Sequence, residues 1–582
     1  MSLTSAIQIG RSALNASQLG IQVAGNNLAN AATPGYSRQV GDLVPIAGDN
    51  SIPGVSIGRG VAVRSIRRQI DEALQSRLMG SASDRAAADT QHNILAQVEA
   101  TLGELGDNDL SSELSSFFRG WSERANQTRS SAAVVQQGDK LAQFIRRLRG
   151  ELQDQRSQID DQLGASVGRA NELLSQIADL NQSISTAEGS GASANPLRDA
   201  RGTALSQLSE IVDVSVIDRG LGGVDVLVGS IPILQGSRVH ELELRRRSEN
   251  GETTVSIGTK PWGNQEGQEL TPSSGQMAAL LGSRTSAVDG TIDTLDSLAS
   301  QIIFEVNKLH STATNATGLT TTTGSLSIAT TDRFLSLNDG ANRSFADLPF
   351  AATNGGFLVR VRNSATGAME ETRINVDLDG INASGVAGTA DDTSAEDIRA
   401  ALDGLSGITA SFTADGKLKV DADSGFEFSF GDDSSGALAV MGLNAYFTGK
   451  DGADIAVRAD LLGQPQRLSV GRVVNGQFVE NGTALSMTAL QDQGLTALGG
   501  QTMTGLWRDG VQAVGGAVSS ARTNADAKGL VNESLESQRS ALSGVNVDEE
   551  SISLMDFQRQ YQAAARVIST VDQMTQTLLA IT

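Results

Sequence analysis

The chain has 582 residues, enough for about three or four domains at roughly 150 residues each. Its 45 basic and 67 acidic residues leave a formal net charge of −22, which disfavours nucleic acid and anionic membrane surfaces as partners. Cysteine is absent, so disulfide scaffolds, thiolate metal sites and cysteine nucleophiles are excluded together. Aromatic residues make up only 4%, so the cores must be built from Ala, Leu, Ile and Val.

The first residues, Met1-Ser2-Leu3-Thr4-Ser5-Ala6-Ile7-Gln8, lack a basic stretch and a continuous apolar run. The expectation is no cleaved Sec signal, and no apolar run is long enough to span a bilayer. Ile7, Leu14, Ile21 and Leu28 recur every seven residues, the spacing that keeps one helix seam against a partner. The companion line, Leu3, Gly10, Ser17 and Ala24, is mostly small and permits close backbone approach. Thr33-Pro34-Gly35 stops this helix, because Pro34 disfavours helical backbone at Thr33 and Gly35 permits a turn.

Helical spacing returns over Asp71 to Met79, Asn93 to Leu102, Val134 to Arg149 and Gln158 to Ala187, and continues over Leu205 to Ile211. Val214 to Val216 and Val224 to Val228 read as strands around a Gly222-Gly223 turn. Met277 to His310 is helical again. Thr317 to Thr331, rich in Thr and Gly, reads as a linker or loop. Beyond it, Phe357 to Val361, Arg373 to Val376, Leu418 to Val420 and Phe426 to Phe430 alternate as short strands, interrupted by a helix over Ser394 to Leu405. Val511 to Arg539 reads as helix. In the last segment Val547, Leu554, Phe557, Tyr561, Ala564, Ile568, Val571 and Leu578 follow three-four spacing, and Asp548, Glu549 and Glu550 suit the first turn of that helix. One seam at each end buries too little to offset backbone ordering, so the termini are expected to fold on assembly; the alternative that the periodicity leaves equally open is an intramolecular two-helix stalk.

Chemistry is sparse. His92, His240 and His310 share no ligand spacing, and His240-Glu241 fails as a zinc-protease motif because Leu occupies position 244. Asp377-Leu378-Asp379-Gly380 resembles the start of a calcium loop but lacks the closing Glu, and reads as a plain turn. No phosphate-binding glycine loop or nucleophile elbow occurs. The Arg64, Arg67, Arg68 cluster is expected to pair with carboxylates or neighbouring subunits. The expectation is therefore no enzyme, no cofactor and no metal.

The segment Gly25-Asn26-Asn27-Leu28-Ala29-Asn30-Ala31-Ala32-Thr33-Pro34-Gly35-Tyr36-Ser37-Arg38 closely resembles the N-terminal signature of bacterial flagellar rod, hook and hook-junction proteins. Ser543-Gly544-Val545-Asn546-Val547-Asp548-Glu549-Glu550 and Phe557-Gln558-Arg559-Gln560-Tyr561-Gln562-Ala563 look like the matching C-terminal end. Tyr36-Ser37-Arg38, Gly544, Ala563-Ala564-Ala565, Leu173 to Asn181, Asn195 to Arg201 and Leu295 to Asn307 are similar to the junction branch. Pro196 departs from the pattern, where relatives often carry an acidic residue.

The resemblance implies a structural adaptor in a ring of about eleven subunits. It would sit outside the cell between hook and filament and leave through the flagellar type III apparatus. The implied partners are further copies of itself, the hook protein, a second junction protein (hook-associated protein 3) and an export chaperone at the C-terminal region. The implied fold is multidomain α plus β, with coiled-coil-like N- and C-terminal helices paired over 1–64 and 540–582. A helix-rich domain with a small β part takes 65–330 and 456–539, and an inserted mostly β outer module takes 340–455. The expected assembly interface comprises Ile7, Leu14, Ile21, Asn26, Asn27, Leu28, Asn30 and Tyr36, with Val547, Leu554, Phe557, Tyr561, Ala564, Ile568, Val571 and Leu578. Of these, Asn26, Asn27, Asn30 and Tyr36 are expected to set the turn out of the inner tube. The alternatives are a hook or distal-rod subunit, or a surface-displayed binding protein that uses the inserted module.

Overall fold

The computed structural model describes residues 3–581 except 48, 53–54, 104–108, 128, 190–192, 221, 250–251, 264–265, 383 and 475. The chain divides into two compact units. One comprises residues 1–94, 158–283 and 519–582, and the other 95–157 and 284–518. Three long helices, Glu72–Leu102, Ser131–Glu188 and Met503–Ser543, contribute residues to both.

The first unit begins with the helix Leu3–Ala29 and ends with the helix Val547–Ile581. Between them the antiparallel strands Gln39–Pro45 and Val61–Arg68 pair, neither of which the apolar pattern had indicated. Residues 158–188 of the 58-residue helix carry the buried line Ile159, Leu163, Ala170, Leu173, Leu174, Ile177 and Ile184. The helix Asn195–Ile211 contributes Leu205 and Leu208. Pro196 lies in its first turn, where a missing N–H costs nothing, so the departure at that position is compatible with the helix. Asn181 and Arg201 fix the connection between these helices and the sheet. Asn181 Nδ2 donates to Val224 O at 2.9 Å and Gly236 O at 2.6 Å, while Arg201 donates to Asn181 Oδ1 at 2.9 Å and to Gly222 O. Burial lowers the Arg201 pKa to about 10, which leaves it charged at neutral pH. The sheet itself has four antiparallel strands in sequential order, Ser215–Asp218, Val224–Val228, Ile231–Gln235 and Arg238–Val239.

The second unit centres on the helix Gly290–Ser311, which buries Ile292, Leu295, Leu298, Ile302, Ile303 and Val306. The expected helix over Met277 to His310 is broken by one π-helical segment, Arg284–Asp289. The helix Leu110–Ala125, absent from the periodicity reading, is capped by Asp109, which accepts from Ser112 N at 2.6 Å. It delivers Phe117, Phe118 and Trp121 to an aromatic cluster with Tyr446, Phe447 and His310, the ring centroids 4.8–6.5 Å apart. His310 is fully buried. One ring nitrogen, Nδ1, lies 2.7 Å from Asn444 O and donates to it, which leaves Nε2 without a proton, and burial lowers its pKa to about 4.

The β-rich part of this unit contains two three-stranded antiparallel sheets. One places Gly355–Asn363 between Met369–Val376 and Phe426–Gly431, with Phe357 opposite Ile374 and Val359 opposite Phe430. The other places Leu418–Ala422 between Thr321–Thr323 and Ile408–Phe412. The Thr317 to Thr331 stretch is therefore more than a linker. Its β-branched threonines pair as an edge strand, and Thr321 Oγ1 donates to Asp421 Oδ1 at 2.7 Å. The expected helix in this part spans Ala395–Asp403, with a capping box between Ser394 and Asp397.

Candidate assembly interface

The two terminal helices run antiparallel, and their seam uses the small line of the first helix. Gly10, Ala16, Ser17, Gly20, Val23, Ala24 and Asn27 are buried. A Cβ at Gly20 would lie 2.5 Å from Phe557 Cδ1, and one at Gly10 would lie 2.7 Å from Ile568 Cγ1. Only glycine admits the C-terminal helix at that distance. On the C-terminal helix Glu550, Phe557, Ala564 and Val571 recur every seven residues; Phe557 is half-buried and the other three are buried.

The larger heptad line expected to face a partner helix points elsewhere. Ile7 is 36% and Leu28 38% exposed, and Leu14 and Ile21 are half-buried. Asn27, Ala564 and Val571 are buried in the chain's own seam. Leu554, Phe557 and Ile568 are half-buried along it. Val547, Tyr561 and Leu578 point outward, joined by Ile552, Met555, Val567, Met574 and Leu579, which the spacing argument had passed over. Burying the exposed half of these ten outward apolar side chains would release roughly 7–15 kcal/mol of gross transfer energy, before the costs of association are deducted.

At the Asn27–Glu550 end of the seam a polar clamp holds the turn. Asn27 is 1% exposed, and its amide satisfies four groups. Its Nδ2 donates to Gln39 O at 2.9 Å and to Glu550 Oε2 at 3.1 Å, and its Oδ1 accepts from Gln39 N at 3.0 Å. The Tyr36 hydroxyl lies 2.8 Å from Asn27 Oδ1 and 2.9 Å from Asn26 Oδ1, and donates its single proton to one of them at a time. Burial, with Asp199 and Glu550 nearby, pushes the Tyr36 pKa up to about 12, so it remains a donor. Asn26 is exposed. Asn30 donates to Asn26 O at 2.9 Å, which is local helix-end bonding.

Arg38 closes the clamp. Its Nε donates to Glu550 Oε1 at 2.7 Å, its Nη1 reaches Glu549 at 3.4 Å, and its backbone N–H donates to Ser543 O at 2.9 Å. Glu550 is only 3% exposed, so this carboxylate is a buried partner rather than merely a complement to the helix dipole. From the opposite side, Asp199 accepts from Arg68 Nη1 at 3.1 Å and from Ser37 N at 3.4 Å. Gly35 makes the turn with φ +80°, and a Cβ there would lie 2.4 Å from Thr203 Oγ1. Of the arginine cluster, Arg68 pairs with Asp199, Arg64 lies 3.7 Å from Asp42, and Arg67 is exposed. Arg38, Asp199 and Glu550 were missed as a group because no local spacing links residues 162 and 512 positions apart.

These contacts hold the turn and orient the two terminal helices against each other. Among the described helices none is long and apolar enough to cross a membrane.

Comparison with known proteins agrees at three places along the chain. Residues 95–325 match the flagellar hook-associated protein FlgK helical domain. Residues 536–581 match the flagellar basal body rod FlgEFG protein C-terminal region, and residues 7–36 the flagella basal body rod protein. The flagellar hook-associated protein 1 of Salmonella typhimurium is 28% identical across the whole of both chains, and that of Escherichia coli K12 26%. That of Bacillus subtilis is 31% identical over 37% of this chain and 45% of its own. The solved structure of the flagellar hook junction protein FlgK from Burkholderia pseudomallei covers 80% of this chain and all of its own, at 15% identity and a TM-score of 0.48. The chain belongs to the flagellar hook-associated protein 1 family and has a structural role in the bacterial flagellum.

Proposed function

We propose that the protein is the junction subunit that joins the hook to the filament. The carrying observation is the outward apolar face of the paired terminal helices, from Ile7 and Leu28 to Ile552, Met574 and Leu579. A seam built on glycine, serine and alanine holds the two ends together but leaves their larger side chains uncovered. Neighbouring subunits would supply the missing faces, in a ring of about eleven copies closed by heterologous contacts. Hook protein would meet this ring on one side and a second junction protein, hook-associated protein 3, on the other.

The same physics suits export through the flagellar type III apparatus. Terminal helices with so little self-burial stay unfolded at small cost until neighbours are present. A chaperone at the C-terminal region would shield Leu554, Phe557, Tyr561 and Ile568 until then. A chain without cysteine passes from a reducing to an oxidising environment without mispairing.

The test is a double substitution on the outward face, Ile552→Lys with Leu579→Lys. The side chains are 57% and 72% exposed, so the purified chain keeps its helix content and melting temperature. Cells carrying it are expected to show hooks without filaments and filament protein in the medium. Normal filaments on these cells would overturn the reading.

A further inference from the structure

Asp377 and Asp379 lie just beyond the strand Met369–Val376, and Asp392 lies just before the capping residue of the helix Ala395–Asp403. The fold brings them together. Each offers a carboxylate oxygen, and these oxygens all lie within 4.8 Å of one another. Among the described residues, none of the three forms an ion pair with a lysine or arginine.

Exposed acidic clusters are common, but this one has a buried member with an unmet valence. Asp392 is 4% exposed, and its Oδ1 is fully enclosed yet accepts no hydrogen bond. Its Oδ2 accepts from Asn338 Nδ2 at 2.7 Å and Gly380 N at 3.2 Å, which holds the carboxylate in place. A buried carboxylate oxygen without a donor is costly, and a cation is the simplest group that satisfies it.

The other two ligands are held as well. Thr393 N donates to Asp377 O at 2.7 Å, and Asp377 N donates in return to Thr393 Oγ1 at 2.8 Å. Asp379 Oδ1 accepts from Ile381 N at 2.8 Å, which leaves its second oxygen available. Two oxygens on one calcium ion, each at about 2.3–2.6 Å, lie no more than about 5 Å apart, and the cluster fits that limit. Magnesium demands shorter bonds, about 2.0–2.1 Å, and gives up water reluctantly, so it fits the same oxygens less well.

We propose that Asp377, Asp379 and Asp392 form a calcium site that ties the two ends of the 377–392 loop to the sheet and helix they connect. The ligand is a hard divalent cation taken by oxygen alone, with water completing its shell. The turn that lacks a closing Glu in sequence receives its third carboxylate from Asp392 instead. Sites of this kind in extracellular modules bind calcium with Kd about 10⁻⁴–10⁻³ M.

The test is isothermal titration of the full-length chain with calcium chloride, and separately with magnesium chloride, after treatment with a chelator. The expected result is one saturable calcium site, magnesium binding at least tenfold weaker, and a melting temperature raised by calcium. Asp392→Asn is expected to abolish binding. Because Asp392 also supports the loop, the exposed Asp379→Asn variant is the second probe. It should melt as the wild type does in chelator, yet bind calcium at least tenfold more weakly. No saturable binding at millimolar calcium, undiminished affinity in Asp379→Asn, or equal affinity for magnesium would overturn the proposal.

Discussion

Replacing Asn27 by leucine tests the clamp at nearly constant side-chain volume. The substitution leaves the Gln39 N–H and C=O without their partners and removes the donor to Glu550 Oε2. Gln39 is half-buried, so each of its peptide groups finds water at a cost of about 0.5–1 kcal/mol. Glu550 is 3% exposed, and its orphaned oxygen costs about 2–3 kcal/mol. Tyr36 keeps Asn26 as an acceptor and adds little. Burying leucine returns up to about 1 kcal/mol, for a net loss near 3 kcal/mol. Native-state hydrogen exchange at the Gln39 amide reads this directly, as a rate increase of about a hundredfold. The control is Asn26→Leu on the exposed side, where the expected change is less than threefold. An increase below tenfold for Asn27→Leu, or one no larger than the control, would refute the accounting.

Other perturbations test separate parts of the account. Gly20→Leu drives a side chain into the Phe557 ring, so exchange protection across residues 3–29 and 547–581 should fall, with a loss of about 1–3 kcal/mol; Gly25→Leu, where nothing lies within 4 Å, should leave it unchanged. For His310 the folded pKa of about 4 lies below the ordinary value of 6.5, so its contribution to stability is complete above 6.5 and is lost as pH falls toward 4. Unfolding free energies at pH 7.5 and 4.5 should differ by about 2–3 kcal/mol from this residue, and His310→Gln should flatten that part of the profile.

The helices were legible wherever apolar spacing was unbroken, and they were cut short wherever a polar residue took a core position. The stretches 134–149 and 158–187 are one helix, because Gln155 occupies a buried position between Leu152 and Ile159 without ending it. The helix Leu110–Ala125 escaped notice because serines interrupt its aromatic face, although its Asp109 cap was present as a signal. At the termini, periodicity identified two stripes on the first helix but could not rank them. Hydrophobicity favours the Ile7, Leu14, Ile21, Leu28 line, whereas close approach to Phe557 and Ile568 requires glycine, so the chain's own seam lies on the small line. The Arg38–Glu550 pair depends on folding over more than five hundred residues, and no local rule reaches that far.

The most direct test of the central claim is electron microscopy of cells lacking this protein, with the medium assayed for filament subunits. Complete hooks that carry no filaments, with filament protein released into the medium, are the predicted result. Filaments of normal length on those hooks would contradict the junction role, and absent hooks would place the subunit in the hook or rod.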